Sequence, residues 1–433
     1  MFSIYLDSKN KGFKTKLDKL LKYEDDLNLE VITTVSKILS DVKKDGDRAV
    51  IKYSEEFDRR TFKSVCDFSY TKNEIRQSTK KIGKDVLEAM EFSYERILDF
   101  HSEFYIKNQS THLNEEISRF QKPIEEILIY VPGRKASYPS TVLMATGPAK
   151  VAGVKKIYLT SPSIEGNVSH ITLAAASIAG VDEVYSLGGA QALAAFAYGT
   201  ETFPQVQKII GPGNKYVTEA KRQLFGIVGI DLIAGPSELL IVGDETSNST
   251  TVAFDLMAQA EHDELASSIL ISSDIRLIED VKEIIKKEIK NFSRKNIIRK
   301  AFSTRGALIK VKSSKEALEI ANKIVPEHIH LVTKDALELV RETIKAGIIL
   351  VGEDSANGLS DYVLGPSHVL PTGKTARFFS PLSVEDFLVK SSFVNLKSSR
   401  KKSTYNELID KAFILAEAEG LSAHAKSLIK RRK

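Results

Sequence analysis

The stretch KKIYLTSPS, Lys155–Ser163, is followed by SHITLAAASIAG, Ser169–Gly180, then by VDEVYSLGG, Val181–Gly189, and AQALAAFAYGT, Ala190–Thr200. A short apolar run that closes on small turn-forming residues reads as a buried strand, and the alanine-rich run after it as a helix. The alternation extends both ways. Upstream, EEILIYVPG (Glu125–Gly133) and STVLMATGPAKVAGV (Ser140–Val154) read as strand and helix; downstream, VQKIIGPGNKYVTEAKRQLFG (Val206–Gly226) reads as strand, loop and helix. The same rhythm returns after Ile230 in DLIAGPSELLIVGDE, SSILISS, GALIKV, IHLVT and GIILVG, with helical patterns between them. Strands alternating with helices at this spacing predict an α/β protein with parallel, doubly wound sheets. Two such units are expected, one from residues 130–234 and the other from 24–129 together with 235–381. Residues 1–23 are expected to form a helical N-terminal extension and 382–433 a helical C-terminal tail interrupted at Gly420.

A chain of 433 residues exceeds one typical domain, and 42% hydrophobic with 27% charged residues is the balance of a soluble globular protein. A net charge of +5 is small for that length, and the basic clusters at Lys9–Lys22 and Lys430–Lys433 lack interleaved aromatics, so no nucleic acid partner is expected. No apolar run has the length of a membrane span. The opening MFSIYLDSKNKGFK has polar residues where a signal peptide needs an apolar core. The single cysteine, Cys66, has no intrachain disulfide partner, which makes a reducing cytoplasm the expected home.

Ligands of parallel sheets collect in the loops that follow strands. YVPGRKASYPS (Tyr130–Ser140), SLGGAQA (Ser186–Ala192) and GPGNKY (Gly211–Tyr216) are such loops. None is G-x-G-x-x-G, and glycines also serve simple tight turns. Three of them on one sheet edge point to a nucleotide. In LMAQAEHDELASSILIS, Leu256–Ser272, which reads as a buried helix running into a strand, Gln259 and His262 are three residues apart and are expected to point the same way from one helix face. They either share a bound ion or cap the polar edge of an amphipathic surface. VPEHIHLVT, Val325–Thr333, sets Glu327 and His328 after Pro326 at the start of a strand. Adjacent strand residues face opposite sides, so both reach one site only from an irregular turn. GLSDYVLGPSHVLPTG, Gly358–Gly373, carries Asp361 and His368 in a glycine- and proline-bounded loop, and Glu419 and His424 flank the helix break in the tail. Taken alone, each histidine fits a surface or hydrogen-bonded core position. With eight histidines and one cysteine, thiolate-based zinc sites are excluded; an N/O set remains, suited to zinc or manganese.

The segments IIGPGNKYVTEAKRQLFGIVGIDLIAGPSELLIV (Ile209–Val242), QAEHDELA (Gln259–Ala266), VPEHIHLV (Val325–Val332), DYVLGPSHVLPTGKTARF (Asp361–Phe378) and EGLSAHAKS (Glu419–Ser427) occur in that order. Together they resemble the motif series of the histidinol dehydrogenase family, over about residues 24–430. The resemblance implies two Rossmann-like domains with helical extensions. It implies NAD-dependent four-electron oxidation of L-histidinol to L-histidine through L-histidinaldehyde, the last step of histidine biosynthesis. It also implies one zinc ion per site and a homodimer with shared active sites. Carried over residue by residue, zinc is expected on Gln259, His262, Asp361 and the partner subunit's His424, and acid–base work on Glu327 and His328. Ser237 and Glu419 are expected to hold the substrate together with Gln259, His262, His328, Asp361 and His424, with His368 close by; Tyr130, Gln191 and Asn214 are expected at the NAD site. Arg134 and Lys374 stand where the family pattern has glycines, and ATGPAKVAGV replaces the usual NAIPAKVAGV. Cys66 lies outside every one of these segments, so no covalent thiohemiacetal is expected.

Overall fold

The computed structural model describes residues 4–20, 29–58, 64–105, 117–133, 137–163, 167–342, 345–396 and 401–433. In chain order the strands are β1 Ile4–Asp7, β2 Ser69–Tyr70, β3 Ile117–Pro123, β4 Glu126–Tyr130, β5 Lys156–Thr160, β6 Glu183–Tyr185 and β7 Lys208–Ile210. There follow β8 Gly229–Ile230, β9 Glu238–Gly243, β10 Ser267–Ser272, β11 Ala307–Lys310, β12 His328–Val332, β13 Ile348–Val351 and β14 Leu388–Val394. One sheet runs β1-β11-β10-β9-β12-β13 and another β2-β6-β5-β4-β7-β8. Within these two sheets every described pairing is parallel except that of β2 with β6. The cause is visible in the strands themselves: ELLIVG and SSILIS are buried at every position, as strands covered on both faces must be.

Both sheets are doubly wound. From β9 the chain adds β10 and β11 on one side, then crosses to add β12 and β13 on the other. From β4 it likewise adds β5 and β6, then crosses to β7 and β8. Each sheet therefore has a topological switch point, between β9 and β12 and between β4 and β7.

The boundaries expected from sequence need correction. Residues 24–129 share no sheet with 235–381: β2 and β4 belong to the sheet of β5–β8. The helices Leu29–Asp45 and Asp47–Asp58 bury Val35, Ile38, Val42 and Val50 in one cluster with Leu193 and Phe196. An apolar helix stripe has to be covered, and the alanine-rich helix Gly189–Tyr198 offers the flat face that covers it. Residues 1–23 are not only helical, since β1 pairs with β11 before the helix Phe13–Leu20.

The tail is a compact unit of its own, formed by Leu388–Lys433 with the segment ending at Lys122. It pairs β14 with β3, so the expected helical tail also contains a strand and takes a second from the 24–129 segment. Its helices Lys402–Ala418 and Ser422–Ile429 meet at Gly420, whose φ of +74° is the left-handed conformation that ends a helix. No described helix is long and apolar enough to cross a membrane.

One buried titratable group gives the fold a pH dependence. His101, on the helix Lys84–Phe104, is 3% exposed and packs edge-on against Phe100 at 5.2 Å. Burial pushes its pKa down to about 4, against the weaker pull of Glu385. A depressed histidine favours the folded state above its ordinary value and loses that contribution as pH falls from 6.5 to about 4, at most about 3 kcal/mol. The His101→Leu variant is therefore expected to flatten the decline of Tm between pH 6.5 and 4. Parallel Tm-against-pH curves for the two proteins would remove His101 as its cause.

Candidate active site

The switch points bring the polar loops together. A cavity of about 2000 Å³ is lined by Pro132 and Tyr138 after β4 and by Pro212–Lys215 after β7. It is lined as well by Ser237, Gln259, His262, Glu327, His328, Asp361 and His368. The carboxyl ends of one sheet thus meet the amino ends of the other. Ligands of doubly wound sheets ordinarily lie at carboxyl ends; here the titratable residues stand where β9 and β12 begin.

The turn into β12 is set by its own backbone. The helix Ser314–Ile324 ends at Val325, which adopts a left-handed conformation with φ 51°. That is an outlier for a β-branched residue. Pro326 follows without an N–H, and Glu327 and His328 are both delivered to the cavity from this irregular turn. Glu327 Oε2 accepts the Glu238 N–H at 2.7 Å. His328 Nδ1 lies 3.0 Å from the Glu238 carbonyl, which only accepts, so Nδ1 carries the proton. The other ring nitrogen, Nε2, lies 3.5 Å from Asp361 Oδ1. Burial works against a charged His328, but Glu327 and Asp361 outweigh it and raise the pKa to about 10. Burial also pushes the Asp361 carboxyl up, yet the His328, His368 and His262 imidazoles more than offset this and hold it below its ordinary value.

Gln259 closes the helix Ser249–Ala260, and the helix stops before His262. The charged run Glu261–Glu264 has no apolar stripe to bury, so the two residues do not share a continuing helical face. The turn still couples them, because the His262 N–H donates to the Gln259 carbonyl at 3.3 Å. Asn357, on the same short helix as Asp361, places its Nδ2 3.3 Å from both Gln259 Oε1 and Asp361 Oδ2. His368 ties this corner to the helix Pro139–Ala152, with Nδ1 3.0 Å from the Asp361 carbonyl and Nε2 3.2 Å from Thr141 Oγ1.

Among the described residues no group of three His, Cys, Asp or Glu side chains could hold a metal. The expected set does not need one, because one of its donors is an amide. Gln259, His262 and Asp361 line one cavity, and the Gln259 Oε1, which accepts the Asn357 Nδ2 at 3.3 Å, keeps a second lone pair for a cation. An imidazole nitrogen, a carboxylate and an amide oxygen fit a zinc ion that takes its remaining ligands from elsewhere.

Glycines in two of the three glycine loops stand at close approaches of the chain. A side chain at Gly188 would put its Cβ 2.5 Å from Pro162 Cβ, and one at Gly211, with φ +110°, would strike the Tyr130 carbonyl. Tyr130 and Gln191 are buried against the turn between them: the Gly189 N–H lies 3.5 Å from the Tyr130 hydroxyl, and Gln191 packs against Gly189. Asn214 is the N-cap of the helix Lys215–Leu224, its Oδ1 accepting the Tyr216 and Val217 N–H groups. Sequence reasoning missed what holds this loop. Lys221 and Asp231 form a buried ion pair, Lys221 Nζ donates to the Gly211 carbonyl, and Asp231 accepts the Gly211 N–H at 2.7 Å. It also missed Glu238 and Asn357, for which a signal existed: an acid opening the apolar run ELLIVG, and an amide one helical turn before Asp361.

The family model of histidinol dehydrogenase matches residues 22–432. A histidinol dehydrogenase from Nitrosospira multiformis is 42% identical over 428 residues, 98% of this chain and 96% of that one. The chain belongs to the histidinol dehydrogenase family. Another relative of that name, from Clostridium acetobutylicum, is 44% identical over 93% of this chain and 92% of its own length. The crystal structure of a histidinol dehydrogenase from Elizabethkingia anophelis superposes with a TM-score of 0.89, at 30% identity, covering 99% of this chain and 97% of that one. Of the two departures from the glycine pattern of histidinol dehydrogenases, Arg134 lies outside the described residues. Lys374 keeps the glycine-like backbone, with φ 66°. In the tail unit, Glu419 caps the helix Lys402–Ala418 and His424 is exposed on the helix Ser422–Ile429.

Proposed function

We propose that this chain oxidises L-histidinol to L-histidine through L-histidinaldehyde, as an NAD-dependent, zinc-containing, cytoplasmic homodimer. The observation that carries the reading is the buried Glu327–His328 pair, which opens onto the same cavity as the loops at the switch point of the facing sheet. Because Nδ1 of His328 is committed to the Glu238 carbonyl, Nε2 is the nitrogen that takes the alcohol proton in the first oxidation. The aldehyde must then be hydrated before a second pair of electrons can leave. Glu327, whose Oε2 accepts the Glu238 N–H at 2.7 Å and lies 3.5 Å from His328 Nδ1, is suited to take the proton of that water.

NAD+, when bound, supplies the electron acceptor for both steps. Tyr130, Gln191 and Asn214 would serve it, with the Asn214 Nδ2 as donor, since its oxygen is used in the cap. Zinc, when bound to Gln259, His262, Asp361 and the partner subunit's His424, would supply a Lewis acid that orients the substrate's imidazole and amine. An ion on Asp361 would weaken the pull of that carboxylate on the His328 proton, leaving Glu327 as the carboxylate beside this base. Ser237 and Glu419 would complete the substrate's surroundings. The exposed Leu408, Ile414, Leu415, Leu421 and Ile429 give the tail helices an apolar face of the kind a second subunit covers, which supports the dimer.

The test is stoichiometric: two NADH are expected for each L-histidine released. One NADH with accumulating aldehyde would overturn the four-electron reading. Chelation is expected to abolish activity while the circular dichroism spectrum and Tm stay close to those of the zinc form, because the ligands hang on a core that already packs without them. The variant His262→Asn should lose zinc and keep the same spectrum. Loss of secondary structure on chelation would mark the metal as structural.

A further inference from the structure

Glu238 opens β9, an otherwise apolar strand, and is 6% exposed. Three of its groups reach the acid–base pair. Its N–H donates to Glu327 Oε2 at 2.7 Å, its carbonyl accepts from His328 Nδ1 at 3.0 Å, and its Oε2 accepts the Glu327 N–H at 3.2 Å. Two buried glutamates on neighbouring strands thus exchange backbone amides reciprocally. The local reason lies in the turn before β12: Pro326 has no N–H and Val325 is left-handed, so regular strand pairing begins only with His328 opposite Leu239. The Glu327 N–H is left without a ladder partner, and a buried N–H needs one. The Glu238 carboxylate stands in for the missing strand acceptor. Its other oxygen lies 3.9 Å from the Arg305 guanidinium, which lines the cavity.

Stability alone does not account for the arrangement. A carboxylate buried beside a second carboxylate is held at a cost that an apolar residue would avoid. Burial, and then the charge of Glu327, push the Glu238 carboxyl up to about 7, while Arg305 pulls the other way. We propose that Glu238 is a positioning residue for both oxidations: its side chain holds the Glu327 backbone, and thereby fixes where the Glu327 carboxylate and the adjoining His328 imidazole stand. The inference rests on the acid–base reading of that pair.

The experiment uses the zinc-loaded full-length enzyme, with L-histidinol and L-histidinaldehyde supplied separately. Glu238→Ala is expected to lower kcat about 30-fold or more in both half-reactions, with the KM for L-histidinol within about threefold of wild type. Glu238→Gln keeps an oxygen that can accept the Glu327 N–H, and should retain kcat within about fivefold. If the alanine variant does not fold, Glu238→Asp replaces it: its shorter arm misses the N–H, so kcat should fall while zinc content and the circular dichroism spectrum remain those of wild type. A truncated variant with wild-type kcat, or a glutamine variant as impaired as alanine, overturns the proposal. A wild-type enzyme that forms no NADH from L-histidinol instead overturns the proposed function, so the two failures are distinguishable.

Discussion

The Glu327→Gln enzyme is expected to oxidise L-histidinaldehyde about 10³-fold more slowly than wild type, while oxidation of L-histidinol falls by less than about tenfold. The amide oxygen of glutamine can still accept the Glu238 N–H, so the turn keeps its shape and only the base that takes a proton from water is lost. His328→Asn should do the reverse at neutral pH, slowing the alcohol step about 10³-fold, since no other side chain is assigned to that proton. Supplying the aldehyde directly separates the two half-reactions. Both variants running at wild-type rates in both would remove Glu327 and His328 from the chemistry altogether.

What could be read from the sequence follows the range of the physics involved. The strand-then-glycine signatures after β4, β6 and β7 are local, and the structure has strands and turns there. The doubly wound class was equally legible, because alternation of short apolar runs with helices leaves few other packings. Which sheet an N-terminal helix covers is not local. The stripe Val35, Ile38, Val42 would suit any flat apolar face, and only the folded chain shows that Leu193 and Phe196 lie under it. The orientation of the site escaped for the same reason. Glu327 and His328 visibly open a strand, but that this amino end faces the carboxyl ends of a second sheet is a property of the assembled pair.

The polar support of the site escaped differently. Lys221 and Asp231 are ten residues apart, on a helix and in the loop after β8, and nothing in their spacing says that they meet at Gly211. Asn357 and Glu238 were closer to legible, since each breaks an otherwise regular local pattern. The assignments on Gln259, His262 and Asp361 came from a family resemblance rather than from spacing. The helix that would have placed the first two on one face ends between them.

Chains carrying His424→Ala and chains carrying His262→Ala are each expected to be inactive, and to recover activity when mixed and allowed to exchange subunits. The proposed zinc set within one chain, Gln259, His262 and Asp361, holds three donors and needs a further one. His424 is exposed on the second tail helix, just beyond the bend at Gly420, and the tail helices carry the apolar side chains that a second subunit would cover. In a two-fold dimer a tail that crosses once crosses twice. A heterodimer of the two variants then has one site with both lesions and one site with neither. Random exchange of equal amounts makes half the dimers mixed, so activity should rise from background to about a quarter of wild type. Native mass spectrometry measures the exchange independently of turnover. Verified heterodimers with activity still at background would show that His424 serves its own chain, and the shared site would have to be abandoned.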